Sequence, residues 1–320
     1  GATGGGGGAT GGGGGATGGG GGATGGGGGA MGYDGGDDPF LPDGGYSWAL
    51  VDAGTPFSFT EGPLWLPAEG ALLFTDIPNN RIWRLAPPAT FTVFREPSGR
   101  ANGLAMDPQG RLLACEHDNR RVSRTLADGG LETVADRWDG GRLNSPNDAI
   151  VRSDGTVYFT DPPYGVPAGQ QRELNFQGVF RVDPSGALHL VASDMNRPNG
   201  VMLSLDERTL YVADTAANLV RAWDVAPDGA TSNPRTLVPT TTVGGGGGGG
   251  DGMALDLAGN LYVTTNGGVK VFRPDGGYRG RIVLPEAPAN VSFGDADGRT
   301  LYVTARAGLY RVRLLVPGLP

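Results

Sequence analysis

Six polar residues stand at the head of one short recurring pattern along this 320-residue chain. They are Glu61 in T-E-G-P-L-W-L, Asn102 in A-N-G-L-A-M-D, Asn147 in S-P-N-D-A-I-V, Asn199 in R-P-N-G-V-M-L, Asp251 in G-D-G-M-A-L-D and Asn290 in A-N-V-S-F-G-D. Their spacings are 41, 45, 52, 52 and 39 residues. Carboxylates and amide carbonyls without Cys or paired His suit a hard divalent cation, Ca2+ first, with Mg2+, Mn2+ or Zn2+ as alternatives. A zinc site of the His/Cys kind is disfavoured, because the chain has only His117 and His189, in different repeats, and one cysteine, Cys115. Any one of the six alone reads as a turn residue, since Asn-Gly and Asp-Gly are common turn formers. Their shared place in every repeat reverses that reading.

Such residues do chemistry only if the elements around them bring them together. After each comes a hairpin signal and a strand, as in A-E-G-A-L-L-F-T-D (68–76), S-D-G-T-V-Y-F-T-D (153–161) and D-G-R-T-L-Y-V-T-A (297–305). A repeat of about 40–50 residues built from short strands and tight turns predicts an all-β fold, a six-bladed β-propeller with one four-stranded sheet per repeat. The inner strand starts at the polar residue and the second ends in the T-D-like pair. A third, such as R-I-W-R-L (81–85), and an outer one, such as T-V-F-R-E (92–96), complete the blade. The chain finishes after a third-type strand, L-Y-R-V-R-L-L (309–315), and an outer-type strand, S-W-A-L-V-D (47–52), stands near its start. That N-terminal strand is expected to complete blade six and pair its open edge. Residues 45–320 then form one propeller domain behind a Gly-rich tail and linker, residues 1–44.

Innermost strands of a propeller line its central channel, so the six residues should ring the channel mouth. Two are carboxylates, and their desolvation and repulsion would cost several kcal/mol unless a cation offset them. Loops after the second strands face the same mouth as the ring, which makes Asn102, Asn147, Glu116, His117, Asp161 and Tyr164 candidates for contacting a substrate bound there. A loop histidine more often hydrogen-bonds its neighbours than relays a proton, and Cys115, inside an apolar strand, reads as core. No G-x-S-x-G elbow occurs and Ser145 has no nearby histidine in sequence, which disfavours a serine-nucleophile esterase.

The net charge of −8 argues against a nucleic-acid partner, since no Lys/Arg cluster is present to neutralise phosphates. No run approaches the roughly 20 apolar residues of a membrane span. Residues 1–30 are four copies of A-T-G-G-G-G-G between a Gly and an Ala, holding 21 of the 61 glycines and no charge. With nothing apolar to bury, they read as a flexible tether. Such a leader resembles one left after a processed export or lipoprotein signal. The expectation is therefore an extracytoplasmic protein, periplasmic, secreted or lipid-tethered, with a cytoplasmic one as the alternative.

The chain resembles the SMP-30/gluconolactonase/luciferin-regenerating-enzyme-like family, most closely its bacterial gluconolactonase branch. The resemblance covers roughly residues 45–315. It is carried by F-T-E-G-P-L-W (59–65), A-N-G-L-A-M-D-P-Q-G-R-L-L-A-C-E-H (101–117), L-N-S-P-N-D (143–148), V-Y-F-T-D-P-P-Y-G (157–165), R-P-N-G-V (197–201), L-Y-V-A-D-T (210–215) and G-D-G-M-A-L-D (250–256). It implies hydrolysis of sugar lactones or related small esters, with one cation held by Glu61, Asn199 and Asp251 and with Asn147 serving either the metal or the substrate. Asp251 is then the candidate general base and Glu61 chiefly a ligand. One departure is the run Gly244–Gly250, whose conformational freedom puts in question how firmly Asp251 is held. A rival reading is a non-catalytic propeller in which the cation stiffens the ring and the top face binds a glycan or a protein. The concentration of Glu61, Asn147, Asn199 and Asp251 at one mouth argues for the enzyme.

Overall fold

The computed structural model of the chain describes residues 24–25, 40–41, 45–51, 54, 56–241 and 244–319. Most of the predicted tail, and Asp52 of the predicted N-terminal strand, lie outside them. Six sheets form a six-bladed propeller. Blade one runs Thr60–Leu66, Ala71–Asp76, Arg81–Ala86 and Thr90–Arg95 from the channel outward, each strand antiparallel to the next. The inner strands of the others are Ala101–Met106, Ala149–Val151, Pro198–Leu203, Met253–Leu255 and Pro288–Gly294. Blade six closes as expected: Trp48–Leu50 pairs with Gly308–Arg313, Trp48 opposite Val312 and Leu50 opposite Tyr310. Thr24–Gly25 adds a short fifth strand outside it, so two residues of the glycine-rich leader join the sheet.

The burial pattern explains why these segments are strands. Second strands are apolar on both faces because each sheet is covered by its two neighbours, and Leu112–Glu116, Val157–Asp161 and Leu261–Thr265 are buried throughout. Outer strands such as Thr90–Arg95 are largely exposed and carry the polar residues. Among the described residues, the apolar clusters fall into the seams between adjacent blades. Cys115, Val122, Phe159 and Phe180 fill the seam of blades two and three, while Tyr302, Leu309, Trp65 and Phe74 fill that of blades six and one. Each fully buried Leu, Val or Phe contributes about 1.5–3 kcal/mol, so the ring is stabilised seam by seam. Cys115 is core, fully buried.

The N-terminal segment also ties blades five and six. Phe40, Leu41 and Tyr46 join their seam, and the Tyr46 hydroxyl donates to Val283 O at 3.1 Å while accepting from Val283 N at 2.6 Å. At the opposite end, residues 317–319 cross the lower face. Leu257 N donates to Pro317 O at 2.8 Å, and Leu319 N donates to Leu255 O at 3.0 Å. Leu319 lines the lower part of the central channel, a space of about 80 Å3 shared with Asp148, Leu104, Met253 and Ser292. Among the described residues no helix is long and apolar enough to cross a membrane.

Candidate functional site

Each ring residue sits at an irregularity of its inner strand. In blade three Asn147 N donates to Thr160 O and Thr160 N donates to Asp148 O, so two residues oppose one; Asp251 and Gly252 oppose Thr264 in the same way. This is a β-bulge, which re-aims side chains at the price of one ladder position. Register shifts at Glu61–Leu64, Ala101–Leu104 and Pro198–Val201 mark the same feature in other blades. The Gly after the polar residue is therefore no hairpin turn. A Cβ on Gly200 would lie 2.2 Å from Asp251 O and one on Gly62 2.1 Å from Asn102 O, so these glycines let neighbouring inner strands close around a narrow channel.

The bulges bring the six predicted residues together. Asn102 Nδ2 donates to Asn147 Oδ1 at 2.7 Å, and Asn147 Nδ2 donates to Asn199 Oδ1 at 2.5 Å. Asn199 interacts onward with Asp251, Asp251 lies beside Glu61, and Asn290 interacts with Glu61. Asp148, which the sequence reading did not single out, joins them through Asn290. Its carboxylate accepts from Ala149 N at 3.0 Å and Val201 N at 3.4 Å. The available signal was that blade three has Asp directly after its ring residue where four blades have Gly.

Three carboxyls thus share one buried space, and their acidities record it. Burial pushes Glu61 up to about 7 against the pull of the Gly62 N–H, with the Asp148 charge adding to the rise. Burial likewise pushes Asp148 up to about 7 against the N–H groups of Ala149 and Val201. Asp251 stands well above the usual carboxylate range, first from burial and then from the charges of Glu61 and Asp148. Part of Asp251 is open to solvent, yet its Oδ1 is shielded and has no hydrogen-bond partner. Among the described residues no three His, Cys, Asp or Glu side chains cluster at metal-ligand spacing. The donor set for a cation is therefore mixed, carboxylate oxygens with Asn amide oxygens, and its chemistry is that of a hard ion.

The other predicted residues divide. Tyr164 faces the mouth, near Asn199, Thr215 and Asp251, with its ring under the Arg197 guanidinium. His117 packs on Gly165, where any Cβ would meet its ring at 2.1 Å; its buried Nε2 lacks a partner, and burial lowers it to about 4 although Asn147 opposes the shift. It is therefore neutral at pH 7. Glu116 and Asp161, expected to hold substrate, also make contacts within the fold, and Asp161 keeps a buried Oδ1 without a hydrogen-bond partner. Glu116 accepts from Ser123 Oγ at 2.5 Å, Asn119 Nδ2 at 2.6 Å and Arg121 Nε at 2.8 Å. Asp161 Oδ2 accepts from Asn144 N at 2.7 Å. Asp76 and Asp214 close the same position in blades one and four, accepting from Phe59 N and Asn196 N. The acid of the T-D pair is thus a clamp on the loop leading into a ring residue, and these hydrogen bonds of Glu116 and Asp161 stay outside the ring.

The glycine run ahead of Asp251 is strapped down. Fully buried Lys270 donates from Nζ to Thr240 O at 2.6 Å and Gly247 O at 3.0 Å, and Thr215 Oγ1 donates to Gly250 O at 2.7 Å. A Cβ on Gly244, Gly246 or Gly248 would come within 2.0–2.3 Å of Tyr278, Arg281 or Thr241. These glycines serve close packing, and Asp251 N is fixed to Thr264 O at 3.0 Å. A cavity of about 440 Å3 lies elsewhere, on the lower face between blades two and three; its Asp107 is already paired with Arg111 and Arg124.

The profile of the SMP-30/gluconolactonase/LRE-like region matches residues 59–307. A gluconolactonase of Zymomonas mobilis is 34% identical over 297 residues, covering 83% of this chain and 83% of that protein. A pentonolactonase of Haloferax volcanii is 30% identical, covering 78% of this chain and 81% of its own. Among solved structures, a gluconolactonase of Xanthomonas campestris superposes with a TM-score of 0.77 at 32% identity, over 87% of this chain and 95% of that one.

Proposed function

The chain belongs to the SMP-30/gluconolactonase/LRE-like family and is a sugar lactone hydrolase, and from that premise we propose that its reaction depends on one divalent cation at the channel mouth. The observation that carries this reading is the shielded, unpartnered Asp251 Oδ1 within reach of the charges of Glu61 and Asp148, a repulsion that a cation offsets. Glu61, Asn199 and Asp251 would hold the ion, with Asn147 beside them. When bound, a hard cation polarises a carbonyl and lowers the pKa of water. Ca2+ suits the oxygen-only set best.

Hydrolysis adds a water oxygen to the lactone carbonyl carbon, breaks the bond from that carbon to the ring oxygen and yields a hydroxy acid. Asp251 accepts the proton of the attacking water and returns it to the departing ring oxygen. A bound cation would favour the ionised form of this carboxyl over the neutral form that burial favours, and the ionised form is the one that accepts a proton. Asn102, Asn147 and the Tyr164 hydroxyl face the mouth as donors and acceptors for the sugar hydroxyls. His117, neutral and buried, bounds the site. Acid release from glucono-δ-lactone above the spontaneous rate tests the proposal. Hydrolysis should disappear with a chelator and return with Ca2+. Chelator-resistant hydrolysis would overturn the cation dependence, and a cation-loaded protein inert to every sugar lactone would favour the binding propeller.

A further inference from the structure

The rim of the mouth carries arginines in an unusual backbone state. Arg100, Arg197 and Arg306 have φ of 50°, 66° and 49°, the left-handed region that side chains with a Cβ avoid. Arg100 and Arg197 stand two residues before Asn102 and Asn199; in blade five the corresponding residue is Gly249, at φ 79°. Glycine takes that conformation freely, so an arginine there is retained against the local backbone preference. Arg306 occupies the turn between the second and third strands of blade six.

Two of these side chains address the ring from different sides. The Arg197 guanidinium lies 5.6 Å from the Tyr164 ring centroid, and the Arg306 guanidinium lies 6.0 Å from that of Phe59 and acts on the charge of Asp251. Both residues are exposed, and among the described residues neither forms an ion pair with a carboxylate. Arg100, by contrast, is drawn toward Asp118 at 3.7 Å. Two unpaired guanidiniums at the mouth of a chain of net charge −8 run against the overall field, which by itself would repel an anion. Guanidinium is also the side chain best fitted to carboxylate, sulfonate or phosphate oxygens.

We propose that the preferred substrate is an anionic sugar lactone, its carboxylate, sulfonate or phosphate held at the rim by Arg197 and Arg306. This rests on the hydrolase reading above and specifies its substrate class. The test compares glucono-δ-lactone with its 6-phosphate and with glucaro-1,4-lactone, which bears a free carboxylate, in the cation-loaded protein and in Arg197→Gly and Arg306→Gly. Glycine suits the left-handed backbone, so both variants should keep or raise the melting temperature. The wild type should show a higher kcat/KM for at least one anionic lactone than for the neutral one, and that advantage should shrink as ionic strength rises. Each variant should cut the anionic-to-neutral ratio about tenfold, through KM rather than kcat. Which anionic lactone leads separates carboxylate from phosphate as the bound group. Equal handling of neutral and anionic lactones by the wild type, or an anionic preference that survives in both variants, would overturn the proposal. The hydrolase reading fails separately, if no lactone turns over at all.

Discussion

On the proposed mechanism, Asp251 is the residue on which the chemistry turns. Asp251→Asn keeps an oxygen of the same reach but cannot accept a proton, so cation binding should weaken moderately while kcat falls about 10²–10⁴-fold. Pre-steady-state acid release at saturating cation measures the chemical step directly; near-normal kcat there would place the base elsewhere in the ring. The six ring residues were legible because a repeat period and a shared residue class coincide. Asp148 was not, because only the bulge at Asn147–Asp148 sends two consecutive residues into one environment, and strict strand alternation would point them to opposite faces. Glu116 and Asp161 were legible in position, but their contacts within the fold were not. The loop backbone N–H groups and the neighbouring Ser, Asn and Arg side chains that these acids hold become their neighbours only once the sheet forms.

At the scale of the element, the inner strands depend on glycine for spacing and the outer edge depends on a distant segment for closure. The closing strand was readable from the sequence, since blade six needs an outer strand beside Gly308–Arg313 and an outer-type segment stands at residues 47–52. Its exact register was not, because the pairing of Trp48 with Val312 and of Leu50 with Tyr310 leaves no mark in composition. Deleting residues 40–51 removes this strand, the Tyr46 bridge to Val283 and the Phe40 and Leu41 contacts to the seam of blades five and six. Loss of several buried apolar side chains, each about 1.5–3 kcal/mol, together with an unpaired edge should abolish cooperative unfolding or drive aggregation. Calorimetry and light scattering report it. A soluble truncated chain with a single sharp transition would show that closure is dispensable. The glycine run went the other way: read as slack, it is held by Lys270 and Thr215, because glycine supplies close packing as readily as freedom.

For the whole molecule, the channel mouth is the place where all six blades meet, so a ligand there bears on every seam at once. A cation that binds only the folded ring stabilises it by about 2.7 kcal/mol at a hundredfold excess over Kd. Melting curves should therefore rise by a few degrees on titration with Ca2+ and fall back with chelator. Curves unmoved by Ca2+, Mg2+, Mn2+ and Zn2+ would remove the ring as a cation site. Below the ring the geometry is different in kind. The lower channel offers only about 80 Å3 around Asp148 and Leu319, room for a few waters. A six-carbon sugar acid cannot pass through it. The enzyme is in that sense a vestibule with one door, where arriving lactone and departing acid use the same opening, and each turnover must vacate its own threshold before the next can begin.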